Sequence, residues 1–216
     1  MSRTVHTPIS DLRHIRHLME RSRYFIGLSG LSGVGAGCFA LLGIAAVVAY
    51  QWAGGSDLVF ITEDVRLNAP HPWGISPLMF LLTNAAVVVS GALACGYFFT
   101  RRRVIRLGYT IQDPKTYKLV VNICVPLAVG GIFCLALVYH AQGGLIGPTT
   151  LVFYGLALLN GSNFATEELR TLGYMELALG LLSLFFVGYG LYFWALGFGV
   201  FHIAYGIWMY LKYDAA

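Results

Sequence analysis

The chain is predicted to be all-α: a polytopic integral membrane protein with six transmembrane helices, a short N-terminal amphipathic helix and both termini cytoplasmic. Three observations carry this. Only 11% of its 216 residues are charged and 57% are hydrophobic, where a soluble domain carries about 25% charged residues. Six apolar runs, at 25–51, 77–100, 117–140, 146–163, 168–187 and 190–210, each approach the ~20 residues that a bilayer core requires of a helix. Finally, of the 14 Lys and Arg all but Arg66 fall before the first run, in or at the edge of the second-to-third and fourth-to-fifth connections, or after the sixth. An even number of spans with cytoplasmic termini puts those segments on one side, as the positive-inside rule demands. The domains are then 1–24, a cytoplasmic amphipathic arm, and 25–213, the six-helix transmembrane domain.

The arm opens with Thr7-Pro8, an N-cap followed by proline at the first helical position. Ile9, Leu12, Ile15, Leu18 and Met19 share one face, while Arg13, Arg16, His17 and Glu20 share the other. A segment so charged is no signal-peptide core and fits a helix lying on the membrane surface. His6, His14 and His17 are irregularly placed, which argues against a metal site.

The first run is glycine-rich. Gly30, Gly33, Gly37 and Ala40 form one small-residue stripe, which lets a neighbouring backbone approach closely in lipid. No strand precedes it and no P-loop pattern is present, so a phosphate cradle is rejected. Residues 52–76 form the one sizeable external loop, with Pro70, Pro72, Trp52 and Trp73, and the acids Asp57, Glu63 and Asp64. In the second run Asn84 stands alone among apolar residues, as an interhelical hydrogen bonder would.

A basic loop, 101–118, follows, with Arg101, Arg102, Arg103 and Arg106 and a turn at Asp113-Pro114. With Arg13 and Arg16 these arginines form a cytoplasmic basic surface, suited to anionic lipid headgroups or to a cytosolic protein partner. Orientation and lipid explain this charge without nucleic acid, which is not expected as a partner. The third run begins near Asn122 and contains Pro126, which should kink it. Gly143-Gly144 and Gly147-Pro148 make a tight turn into a short fourth run whose cytoplasmic end is Asn160-Gly161-Ser162-Asn163. Thr166 before Glu167 and Glu168 suits a helix start, where acids complement the helix dipole. The four cysteines lie inside the runs and form no C-x-x-C pair, so neither disulfide nor zinc is expected.

The last two runs fold back on each other around Gly188-Tyr189-Gly190. Gly173, Glu176, Gly180 and Ser183 recur on one face of the fifth, and Ala195, Gly199, His202 and Gly206 on one face of the sixth. Pairing these stripes sets Glu176 opposite His202, since both are equally spaced about Tyr189. At ~1.5 Å per residue from the inner boundary, Ser29, Ser32, Asn122, Asn160, Glu176 and His202 all fall in the inner half of the bilayer. They form the candidate polar intramembrane cluster. Ionisable residues there are costly and mark function by default. If the pair is instead a structural clasp, Glu176→Leu should cost ~1–3 kcal/mol by leaving the imidazole unpaired.

The runs Glu20-Arg21-Ser22-Arg23, Phe25-Ile26-Gly27-Leu28-Ser29-Gly30-Leu31-Ser32-Gly33, Tyr154-Gly155-Leu156-Ala157 and Trp194-Ala195-Leu196-Gly197-Phe198-Gly199-Val200-Phe201-His202-Ile203-Ala204-Tyr205-Gly206 resemble a family of uncharacterised six-helix bacterial inner-membrane proteins. The resemblance extends over nearly the whole chain. It implies the six-span topology and a multi-pass location in the bacterial cytoplasmic membrane, and it brings no catalytic residues.

No catalytic motif, metal site or cofactor is expected, and the chain is not expected to be an enzyme. The first expectation for function is a non-enzymatic membrane sensor or complex subunit, meeting a cytosolic protein partner or a second copy of itself. A small transporter or channel using the inner-half cluster is the alternative. More remotely, Ser32 and His202 resemble the serine and histidine motifs of rhomboid proteases, but the serine is on the first helix and no G-x-S-x-G elbow exists.

Overall fold

A computed structural model describes residues 29–54, 74–106 and 114–214. The arm 1–24, with Arg13 and Arg16, and most of the 52–76 loop lie outside the described residues. Those described are almost all helical and include no strand. The helices are α1 (Gly30–Gly54), α2 (Pro77–Arg106), α3 (Pro114–Tyr139), α4 (Ile146–Gly161) and α5 (Glu167–Ser183), with 3-10 turns at Gly143–Leu145 and Ser162–Phe164 on either side of α4. We number as α6 the unbroken stretch that follows. It alternates α-helix at Gly190–Trp194, π-helix at Ala195–Phe201, α-helix at His202–Met209 and π-helix at Tyr210–Asp214.

Five stretches are long and apolar enough to cross a membrane: Gly30–Gly54, Pro77–Arg106, Thr116–Tyr139, Gly143–Phe164 and Gly190–Tyr213. The chain is therefore a multi-pass membrane protein. The fifth apolar run, expected over 168–187, is helical only to Ser183. At 17 residues α5 is ~26 Å long against a hydrocarbon core of ~30 Å. Its last residues instead make the turn into α6, where Gly188 takes φ 99°, a left-handed value suited to glycine.

The basic segment also differs from expectation. Arg101 to Arg106 are not loop: they are the last turns of α2, and α3 begins at Pro114. Arginine is a strong helix former, and positive charge at a helix C-terminus is favoured by the dipole. Pro114, with no N–H to lose, occupies the first helical position.

Glycines choose the neighbours. α1 lies between α2 and α6, α4 lies between α3 and α5, and α6 touches α1, α4 and α5. Where α1 meets α6 the backbones nearly touch: a Cβ on Gly30 would lie 2.3 Å from the Tyr210 backbone nitrogen, and one on Gly206 2.5 Å from that of Val34. The α5 stripe does not meet the α6 stripe as its spacing suggests. A Cβ on Gly180 would lie 2.7 Å from the Val152 nitrogen, and one on Gly155 of α4 2.6 Å from that of Leu177. The α5 stripe is pressed onto α4 and the α6 stripe onto α1.

Two apolar clusters fix the ends. Toward the arginines, Val104, Leu119, Leu158, Ala165, Leu169 and Leu172 join α2, α3, α4 and α5. At the other end Val47 and Tyr50 meet Phe80, Leu81 and Leu191. The Tyr50 ring stacks on Phe80 at 4.0 Å, and its hydroxyl donates to the Ile75 carbonyl at 2.6 Å. Between them Asn84 donates its amide N–H to the Gly43 carbonyl at 3.1 Å, tying α2 to α1. Leu82, Val87, Val89 and Leu93 of α2 and Val125, Val129, Ile132 and Leu135 of α3 remain exposed, as the lipid-facing surface of a spanning bundle should.

Candidate functional site

Glu176 sits on α5 between Gly173 and Gly180, beside both of which the α4 backbone runs close. That approach seals it: its residual exposure is 0%. Room for the carboxyl comes from α6, where Gly197 lies in the π-helical stretch. A Cβ on Gly197 would lie 2.5 Å from Glu176 Oε2, so any larger residue there would have to displace the carboxyl. π-helical turns displace carbonyls from the regular ladder and recur at functional sites.

His202 follows that stretch on α6 and is also buried. Its Nδ1 lies 3.0 Å from the Gly197 carbonyl oxygen and 3.3 Å from Glu176 Oε1. Its Nε2 lies 2.7 Å from the hydroxyl of Tyr154 on α4. Because a carbonyl can only accept, Nδ1 must carry hydrogen to bond Gly197. In a neutral ring Nε2 is then the acceptor and Tyr154 donates to it. The partners therefore assign the Nδ1–H tautomer. Phe198 packs beside the Tyr154 ring at 5.0 Å and beside the imidazole at 5.8 Å.

Glu176 is the exception within this arrangement. Neither of its oxygens has a hydrogen-bond partner, and at 3.3 Å the imidazole is near without bonding. The expectation that His202 would lose its partner on Glu176→Leu is thereby corrected, since the ring is held by Gly197 and Tyr154.

The other residues of the expected cluster go elsewhere. Asn160 donates its amide N–H to the Asn122 carbonyl at 2.9 Å, and Asn122 donates to the Lys118 carbonyl at 2.8 Å, so these two fasten α3 to α4. The Ser32 hydroxyl donates to the Ser29 carbonyl of its own helix end. Neither Ser32 nor His202 is directed at the other, and the bond that a serine nucleophile needs from its base is not the one these side chains make.

Of the basic surface, Arg101, Arg102 and Arg106 are exposed. Arg103 is not: it is 8% exposed, donates to the Tyr213 carbonyl at 3.4 Å and lies over the Tyr213 ring at 5.9 Å. Its place in the docking surface is withdrawn, because the helix turns that side chain inward against the end of α6.

Two groups were not legible from spacing. Tyr154 completes the site from α4; a hydroxyl amid an apolar short run was the available signal. Glu168, read as a dipole-complementing acid, is buried and accepts from Lys212 Nζ and from the Tyr213 hydroxyl, the latter at 2.7 Å. Among the described residues no group of three His, Cys, Asp or Glu could hold a metal ion. Searches of protein-family models, of curated proteins and of solved structures find no match to this chain.

Proposed function

We propose that the chain is a non-enzymatic module of a bacterial inner membrane, a sensor or a subunit of a larger complex. In this reading six helices span the bilayer, both termini are cytoplasmic, and the chain is a member of the six-helix family it resembles. Glu176, His202 and Tyr154 form its responsive centre. One observation supports this above others: a carboxyl is fully buried at a three-helix junction with no hydrogen bond to either oxygen. A clasp would satisfy such a group, whereas an unpaired one costs stability and is retained for function. The exposed Arg101, Arg102 and Arg106 at the end of α2 supply a helical basic surface for anionic headgroups and a cytosolic protein partner.

The experiment is affinity purification from native membranes of the full chain, of a chain lacking residues 1–19, and of one with Arg101, Arg102 and Arg106 changed to serine. A defined partner that is lost in both variants, with the folded protein still recovered, supports the module. Equal recovery from all three overturns it. A reporter fused after Ala216 should be cytoplasmic and one inserted near Gly55 external, and protection of that insertion from external protease in intact cells rules out the six-span arrangement. The alternative, a small transporter, draws on the π-helical break beside a buried carboxyl. Flux in liposomes, lost in Glu176→Gln, would favour it.

A further inference from the structure

We propose that the splayed ends of α1 and α6 form a binding site for one acyl chain of a membrane phospholipid, recognised by its chain and not by its headgroup. From Gly30 to Leu41 the two helices are in close contact. A Cβ on Gly33 would lie 3.1 Å from the Gly206 Cα, and one on Gly37 2.8 Å from the Gly199 carbonyl oxygen. The series ends where Leu41 covers Gly199, on which a Cβ would meet the leucine at 2.4 Å. The next positions on that face of α1 are Ile44 and Val48, whose branched side chains keep the backbones apart. There the helices separate, and a cavity of about 310 Å³ opens between them.

Its lining is graded. Ile44, Val48 and Ala195 form the deep part, and Gln51, Trp52 and Tyr192 form the mouth. Trp52 is two residues from the end of α1, and both it and Tyr192 are exposed, so the mouth lies at the level where amphipathic aromatics mark a membrane surface. None of the six side chains is charged. Water does not suit the deep part, because it needs polar partners and meets aliphatic side chains. The helix of a second copy is too wide, since a single turn, ~10 Å across and ~5.4 Å long, fills about 400 Å³. An acyl chain is narrow, unbranched and apolar, and it is at hand wherever helices long and apolar enough to cross a membrane part from each other. An empty wedge would instead forfeit dispersion contacts on both walls.

The bound chain lies against Ala195, the first residue of the π-helical stretch. Gly197, which packs on Glu176, is two positions further along the same stretch. The wedge and the polar site therefore share one irregular segment of α6. The acyl site stands whether or not the basic end of the bundle recruits a cytosolic partner.

The test uses the full chain in phosphatidylcholine vesicles that contain a small fraction of phosphatidylcholine with a diazirine midway along one acyl chain. After photolysis the adducts are mapped by mass spectrometry. Lipid that only surrounds the protein labels side chains according to exposure, so Val125, Val129 and Ile132 of α3, all exposed, would carry more label than the half-buried Ile44, Val48 and Ala195. A bound chain reverses that order. Ala195→Phe fills the wedge and should abolish its adducts, leaving those on α3 and the circular dichroism spectrum unchanged. Val48→Phe should do the same from the α1 side if the first variant does not fold, and the wild-type order of labelling decides alone if neither does. The same diazirine chain on phosphatidylglycerol should label the wedge as strongly, because the mouth is uncharged. Adducts that follow exposure, wedge adducts that survive both filled variants, or labelling that depends on the headgroup overturns the proposal. With p-benzoylphenylalanine in place of Trp52, photolysis should yield a lipid adduct, and a covalent dimer in its place would seat a second copy there and overturn it too. These readouts are independent of the partner recovery that tests the module, so the two can fail separately.

Discussion

Two buried glutamates on one helix, Glu168 and Glu176, meet opposite surroundings. Glu168 is 6% exposed and Glu176 0%, yet the first receives an ammonium and a phenol hydroxyl while neither oxygen of the second receives a hydrogen bond. The difference follows from position. Glu168 lies in the first turn of α5, beside the end of α6, where the half-exposed Lys212 can reach back along the surface with its head near water. Glu176 lies deeper, between glycines that admit the α4 backbone and exclude everything else. One acid therefore joins helices and the other is enclosed by them. Burial alone does not separate the two carboxyls; the presence or absence of a hydrogen-bond partner does.

The comparison can be broken from the Glu168 side first. Glu168→Leu should destabilise the bundle by about 2–3 kcal/mol, because the Tyr213 hydroxyl and the Lys212 ammonium both lose a charge-assisted acceptor. An SDS titration of the purified protein followed by circular dichroism measures this, and a midpoint equal to wild type would remove the clasp. Next in size is Gly197→Ala, at about 2 kcal/mol, since the new methyl would meet both Glu176 Oε2 and a Leu151 methyl. Adding Glu176→Ala to that variant should return part of the loss, and a strictly additive double mutant would show that the carboxyl does not lie against α6.

A smaller effect is expected from Tyr213→Phe, about 1 kcal/mol, which removes one hydrogen bond to Glu168 and leaves the lysine in place. Paired with Lys212→Met in a double-mutant cycle, it separates phenol from ammonium. The smallest belongs to Glu176→Leu, which should leave stability within about 1 kcal/mol of wild type, because an unpaired buried polar group is exchanged for an apolar one of similar volume. The same titration checks it. A loss as large as that of Glu168→Leu would mean that Glu176 is a clasp after all.

Much of the scaffold was legible. Five of the six apolar runs, a turn at Gly188-Tyr189-Gly190, a small-residue stripe on α1 and an interhelical role for Asn84 each follow from rules that act along one helix or one turn. Spacing about Tyr189 also set Glu176 opposite His202, and the structure holds them 3.3 Å apart. The polar cluster was legible only in part. Depth in the bilayer groups Asn122, Asn160, Ser29 and Ser32 with that pair, but depth is one coordinate, and residues at equal depth on different helix faces need not meet.

What the sequence by itself determined is thus the class of solvent and the helical faces, because hydrophobicity and the 3.6-residue period are local properties. Tertiary structure alone decided which face meets which. In lipid one apolar surface is as good a neighbour as another, so a glycine stripe announces a close contact without naming the partner. The α5 stripe chose α4, the α6 stripe chose α1, Arg103 turned in against Tyr213, and Tyr154 arrived from a third helix to bond His202. Backbones so close at Gly30, Gly155, Gly180 and Gly206 that no Cβ fits between them mark the helix pairings that resulted. Those pairings left Glu176 enclosed without a hydrogen bond.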